Sequence, residues 1–163
     1  MPDPYARPVT GVVNTPGGTA TLTGLDLLRG VADGVLPRPP IDRLFGVHLV
    51  TAQSREVVFE MPAHGWLANE FGTVYGGALA FFATSAASAA VQTIAKAGTG
   101  FGALDLKVNF LRPTNTDGQT MTATGTIMHP GGQLVVSSGV ITHGGKTVAI
   151  ATGTTALHPG ARA

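Results

Sequence analysis

From Phe71 to Ala95 the chain carries no charged side chain, and the next one is Lys96. Within this stretch, residues 74–95 would form a helix of about 33 Å, enough to cross the apolar core of a bilayer. The composition argues against that use. Ala, Ser, Thr and Gly dominate, Gln92 lies near the end, and few large apolar side chains are present to drive insertion. A helix that is apolar nearly all round can equally be the centre of a globular domain, wrapped by other elements. With 163 residues and 44% hydrophobic content the chain can build one such core. The remaining sequence must then supply the wrapping.

It supplies strands. Residues 47–54 and 56–61 read as two strands, with Val57, Phe59 and Met61 alternating with Val58 and Glu60 until Pro62 ends the second. After the long helix the period changes from 3.6 to 2. Leu104, Leu106, Val108 and Phe110 alternate with Asp105, Lys107 and Asn109, which predicts a half-buried strand ending at Arg112-Pro113. Three further strands are expected over residues 119–128, 133–142 and 147–157. Pro130-Gly131-Gly132 and His143-Gly144-Gly145 serve as hairpin turns between them. Two strands, one long helix and four strands make an α+β fold, an antiparallel sheet curled around a single central helix. Ahead of it, residues 1–23 are rich in Pro, Gly and Thr and read as an extended or mobile arm. Residues 25–35 have helical spacing, closed by Gly34 and Pro37, and residues 41–45 suit a short helical turn.

The junction into the long helix is where chemistry is expected. Gly76-Gly77 opens the helix, and a glycine pair there leaves N–H groups bare at the positive end of the dipole, suited to an anion or a developing oxyanion. The same glycines would also serve simple close packing. The helix itself carries no Asp, Glu, His, Cys or Lys, only the hydroxyls of Thr84, Ser85, Ser88 and Thr93.

Two motifs frame that helix. Asn69-x-x-Gly72-x-x-Tyr75-Gly76-Gly77 precedes it, and Leu104-Asp105-Leu106-Lys107-Val108-Asn109-Phe110-Leu111-Arg112-Pro113 follows it. Together with the element order, over residues 45–157, they resemble the hotdog-fold acyl-CoA thioesterases of the phenylacetate-degradation (PaaI-like) type. Those usually read Asn-x-x-Gly-x-x-His-Gly-Gly in the first motif. The resemblance implies an N-terminal arm with a short helix over residues 1–40 and a hotdog thioesterase-like domain over 41–163. It also implies hydrolysis of an acyl-CoA or acyl-carrier thioester to free acid and thiol. Coenzyme A would enter only as part of the substrate, with no other cofactor, and the site would lie at the interface of a homodimer or homotetramer.

Position by position, the resemblance gives Gly77 the role of offering its N–H to the thioester carbonyl, and Asn69 that of placing water or substrate. A carboxylate nine residues after the motif His would act as base or nucleophile. Nine residues after Tyr75 stands Thr84, so here Thr replaces the carboxylate and Tyr replaces the His. A Ser found in some members two residues before the strand Asp is Ala103 here.

A positioned general base contributes roughly a hundred- to ten-thousandfold, and a Thr hydroxyl cannot act as one near neutral pH. Thr84 can still orient a water by accepting one hydrogen bond and donating another. The catalytic candidates are therefore Asn69, Tyr75, Gly77 and Thr84, with Glu70 the nearest carboxylate in sequence. Trp66, Gly76, Phe81, Ser85 and Ser88 are candidates to meet substrate. Ordinary roles stand beside these: Thr84 and Ser88 can bond back to carbonyls one turn earlier, Tyr75 can be a packing anchor, and Trp66 can cap the core. A non-catalytic acyl-thioester or hydrophobic-ligand binding protein, left after loss of the carboxylate, is the alternative from another class.

Other classes find little support. A net charge of +1 offers no basic patch for nucleic acid. Arg112, Lys107 and Lys146 either meet phosphates of a substrate or are solvated surface charges. Five scattered histidines and no cysteine predict no metal site, and neither a GxSxG elbow nor a P-loop is present. The first residues have neither a basic nor an apolar leader pattern, so the cytoplasm is expected.

Overall fold

The computed structural model describes residues 19–160. Two short helices, α1 (Gly24–Ala32) and α2 (Pro40–Phe45), precede strands β1 (His48–Gln53) and β2 (Glu56–Pro62). The long helix α3 (Gly76–Gln92) follows, and then β3 (Gly100–Phe110), β4 (Thr120–His129), β5 (Leu134–His143) and β6 (Lys146–His158). The expected element order is the one found. Residues 1–18 of the expected arm lie outside the described residues.

Local chemistry sets the helix ends. Thr23 caps α1, its Oγ1 accepting from the Asp26 N–H at 3.2 Å, and the left-handed Gly34 (φ 73°) lies just beyond the helix. Pro40 occupies the first position of α2 and the left-handed Gly46 closes it. The central helix is shorter than the uncharged stretch: it starts at Gly76 and ends at Gln92. Thr93 stops it by turning its hydroxyl onto Ala90 O at 2.6 Å. The same oxygen accepts from the N–H of Arg55, a left-handed residue (φ 72°) in the β1–β2 turn, at 2.8 Å. Among the described residues no helix is long and apolar enough to cross a membrane.

The strands form one antiparallel sheet in the order β1-β2-β4-β5-β6-β3. Because β3 returns beside β6, the sheet has β1 at one edge and β3 at the other. The β5–β6 turn is made by Gly144 and Gly145, both at positive φ, as a tight hairpin requires. Alternate residues of the inner strands face α3: Val57, Phe59 and Met61 from β2, Met121 and Ala123 from β4, Val135 and Ile141 from β5. Opposite them α3 offers mainly alanines, with Leu79 and Phe82 as its large buried side chains. A helix this slim can lie close to a sheet, and Gly125 and Gly139 let it. A Cβ at either position would collide with an α3 carbonyl, that of Ala86 or of Ala83.

The strand expected to be half buried is mostly open. In β3, Leu104 and Phe110 are 61% and 54% exposed, and Leu106 is exposed as well. A bulge at Leu104 shifts the register, and Asp105 staples it by accepting from the Thr154 N–H at 3.1 Å. Alternation had shown two chemically different faces; of the apolar one only Val108 packs against the core, and no element among the described residues covers Leu104, Leu106 or Phe110.

Candidate active site at the start of the central helix

The segment leading into α3 is a tightly bonded loop. Asn69 Oδ1 accepts from the N–H of Phe71 (3.0 Å), the N–H of Thr73 (3.1 Å) and the hydroxyl of Thr73 (3.2 Å). Gly72 takes the left-handed turn at φ 75°, and Thr116 holds its carbonyl at 3.0 Å. Val74 donates to Thr114 O and Tyr75 to Leu67 O, so the loop is fastened on both sides before the helix begins. Three accepted bonds occupy the Asn69 oxygen. What Asn69 can still offer a ligand is the amide NH₂, a donor.

At the helix start the N–H groups of Gly76 and Gly77 bond to no acceptor among the described residues, whereas those of Ala78 and Leu79 both reach Tyr75 O. The helix thus opens on two free donors at its positive end. The exposed Tyr75 ring lies against Gly77, where any Cβ would run into it, so this position needs glycine for packing as well. The Tyr75 hydroxyl has no partner among the described residues.

The two sequence motifs meet here. The ring of Phe110, from the strand motif, lies over Gly76, close enough that a Cβ there would stand 3.3 Å from it. Beside this contact runs a groove of about 310 Å³ lined by Thr73, Gly76, Phe110, Arg112 and Thr114, among others. The Arg112 guanidinium at its rim donates to Thr147 O at 2.6 Å.

Other candidates fall elsewhere. Thr84 Oγ1 donates to Ala80 O at 2.7 Å and Ser85 Oγ to Phe81 O at 3.1 Å, so both spend their protons on their own helix. Ser88 makes no such bond among the described residues. Ser85 and Ser88 line a second, larger cavity of about 410 Å³ formed with α1, Leu36, Pro37, residues 39–42, Leu49 and Phe59. Phe81 stacks on Phe45 with ring centroids 4.5 Å apart and lines neither cavity. Trp66 does not cap the core: it stands 54% exposed in a one-turn helix, Gly65–Leu67. Glu70 is exposed in the loop. Among the histidines, His143 is less solvated than its turn position suggested, its Nε2 lying 3.1 Å from Asp117 Oδ1. No group of three His, Cys, Asp or Glu among the described residues could hold a metal.

The acid that sequence reasoning missed is Asp42. It lines the larger cavity, and burial pushes its carboxyl up from 3.8 to about 6, against the opposing pull of Arg38. Its place in a Pro-rich segment reads as an ordinary solvated carboxylate, and no pattern in the sequence distinguishes it.

Residues 71–150 match the model of the thioesterase superfamily. They span the glycine pair, α3, β3 and the meander. This stretch is thioesterase-superfamily sequence in a hotdog fold. The chain's fold is that of the E. coli PaaI protein from the phenylacetic acid degradation operon, at 24% identity and TM-score 0.71, covering 82% of this chain and 95% of that one. A thioesterase family protein from Silicibacter pomeroyi is similar at 21% identity and TM-score 0.72, over 82% and 99% of the two chains. PaaI of Thermus thermophilus is similar at 23% identity and TM-score 0.67, over 72% and 97%. No curated protein matches this chain.

Proposed function

We propose that the chain hydrolyses an acyl-CoA or acyl-carrier thioester, holding the carbonyl oxygen on the free N–H groups at the start of α3. The observation that carries this reading is that pair of unbonded donors, Gly76 and Gly77, opening the helix of a thioesterase-superfamily domain. Such preorganised donors are typically worth about a hundred- to a thousandfold in rate. The Asn69 NH₂ is a further donor, to the carbonyl or to the attacking water. Thr84 has given its proton to Ala80 O and keeps lone pairs, so it accepts a hydrogen bond from the water and orients it. Neither group removes a proton. Turnover is therefore slow for this fold, with hydroxide or a group outside α3 acting as base.

Geometry also bears on assembly. Gly77 and Thr84 are seven residues apart, roughly 10 Å along one helix axis, too far to hold the carbonyl and the attacking water of one thioester. A site that uses both takes Gly77 from one copy and Thr84 from another. The open edge of β3, with Leu104, Leu106 and Phe110 exposed, is the surface on which two copies would join, as a dimer or as a tetramer of dimers. The substrate is a small molecule, and the expected compartment is the cytoplasm.

Thiol release from a panel of short, medium, long and aromatic acyl-CoAs, comparing the wild type with Asn69→Ala, tests the reading. Turnover that selects one acyl class and falls sharply in the variant supports it. Release no faster than the uncatalysed background across the panel would favour a protein that binds acyl thioesters without cleaving them.

A further inference from the structure

The larger cavity contains none of Asn69, Tyr75, Gly77 or Thr84, yet one of its walls is the half of α3 that begins directly after Thr84. Its front wall is α1 with Leu36, Pro37 and residues 39–42, outside the residues 71–150 that match the superfamily. The lining is mostly apolar, and at about 410 Å³ it lies near the small end of ligand pockets, suited to a medium-length chain or a single ring.

Among the described residues of this lining Asp42 is the one that carries a charge. Among the described residues no hydrogen bond or ion pair reaches its carboxylate. Arg38, whose charge acts on Asp42, instead turns its Nη1 to Val47 O at 3.1 Å and to the His48 ring at 2.9 Å. A half-buried carboxylate facing an apolar cavity without a donor disfavours the folded state and gives the fold nothing in return. On the α3 side, Ser88 and Gln92 also face the cavity with side chains that make no hydrogen bond among the described residues. The cavity therefore presents an acceptor-only group on one wall and groups that can donate or accept on another. A hydroxyl meets both needs, donating to the carboxylate while its oxygen accepts. An ammonium could donate to Asp42 and also to Ser88 or Gln92, but its charge would have to leave water for a mostly apolar lining, a cost that a neutral hydroxyl avoids.

We propose that this cavity receives the acyl group and that Asp42 selects one bearing a hydroxyl, which donates to the carboxylate while accepting from Ser88 or Gln92. The assignment of an acyl group rests on the thioesterase reading of the α3 site. Asp42 is then a specificity residue contributed by a segment outside the superfamily match.

The test uses non-hydrolysable thioether analogues of an eight-carbon acyl-CoA, unsubstituted or with one hydroxyl near the thioether, at mid-chain or at the end. Binding is measured by calorimetry to the wild type, Asp42→Leu and Asp42→Asn. A hydrogen bond to a charged group predicts that one hydroxylated analogue binds the wild type at least about tenfold more tightly than the unsubstituted one. Asp42→Leu should lose that preference while binding the unsubstituted analogue at least as well, and the nearly isosteric Asp42→Asn should keep a reduced preference. Equal binding of all analogues by the wild type, no binding of any, or a preference that survives in Asp42→Leu would overturn the proposal. Thiol release from the corresponding thioesters is scored separately. Selective binding without release sinks the thioesterase reading and keeps the cavity assignment, whereas release without selection does the reverse.

Discussion

Gly125 and Gly139 face each other across β4 and β5, and the carbonyls of Ala86 and Ala83 occupy the space that their side chains would fill. The pair forms a notch in the sheet that seats the middle of α3. Substituting Gly125 by Ala forces the helix off the sheet, an overpacking expected to cost about 1–3 kcal/mol. Urea unfolding should show the midpoint falling at an unchanged slope, with Gly139→Ala behaving alike and the double variant falling short of additivity because one helix shift relieves both.

Asn69→Asp separates two functions of one side chain. The carboxylate keeps the oxygen that accepts from Phe71 and Thr73, but the NH₂ donor is lost. Thermal stability should stay within about 1 kcal/mol of the wild type, while turnover of the preferred thioester falls by roughly ten- to a hundredfold. A parallel loss of stability and activity would mean that Asn69 serves the loop alone.

Restoring an acid to the helix should restore a base. Thr84→Asp is expected to raise thiol release by about a hundredfold wherever substrate already binds productively. An unchanged rate with intact binding would show that position 84 does not face the reacting carbon. Glu70→Gln should leave hydrolysis unchanged, since that side chain stands exposed in the loop.

The exposed edge gives a prediction about mass. Leu106→Lys places a charge on the apolar face of β3 without disturbing the core. Light scattering should report a folded monomer where a larger wild type is expected, and turnover should vanish if, as proposed, a partner supplies half of the site. A monomeric variant of full activity would place the whole site in one chain.

Asp42 also gives a pH signature. Its carboxyl is raised from 3.8 to about 6 by burial, so as pH increases the unfolded chain ionises first. The folded state is progressively disfavoured from pH 3.8 upward, fully so above about 6. Partial exposure limits the effect to about 1–2 kcal/mol. Asp42→Asn should therefore stabilise the protein by that amount near pH 8 and not near pH 3.5, by urea unfolding at each pH. Arg38 pulls against burial here, and a gain that persists at low pH would have to come from packing rather than ionisation.

The fold was largely legible in the sequence, because period and punctuation report it directly. The uncharged stretch marked the helix, Val57, Phe59 and Met61 marked a face, and Gly144-Gly145 marked a hairpin. The site was legible only as far as backbone chemistry reaches: the glycine pair predicted bare N–H groups, which the structure has. What could not be read depended on which surfaces meet. Leu104, Leu106 and Phe110 alternate like any buried set, and alternation does not say whether the covering layer belongs to the same chain. Trp66 is exposed although its size suggests burial. Asp42 lies in a Pro-rich segment whose fold against α1 and α3, over some 45 residues of sequence, is what turns a surface acid into a cavity wall.

That cavity wall is held mainly by apolar packing, with Leu27 and Leu28 of α1 buried. Between Gly24 and Phe45, polar ties to the body run through few groups, among them the Gly24 N–H to Ala95 O, Arg29 to Ala52 O and Arg38 to Val47 O. None of them touches the loop that fixes Asn69 or the start of α3. Asp42, which would choose a ligand, and Asn69, Gly77 and Thr84, which would act on it, thus occupy separable stretches of chain. A lineage, or an engineer, can exchange the front panel as a cassette and change what is admitted while the reactive machinery behind it stays as it was.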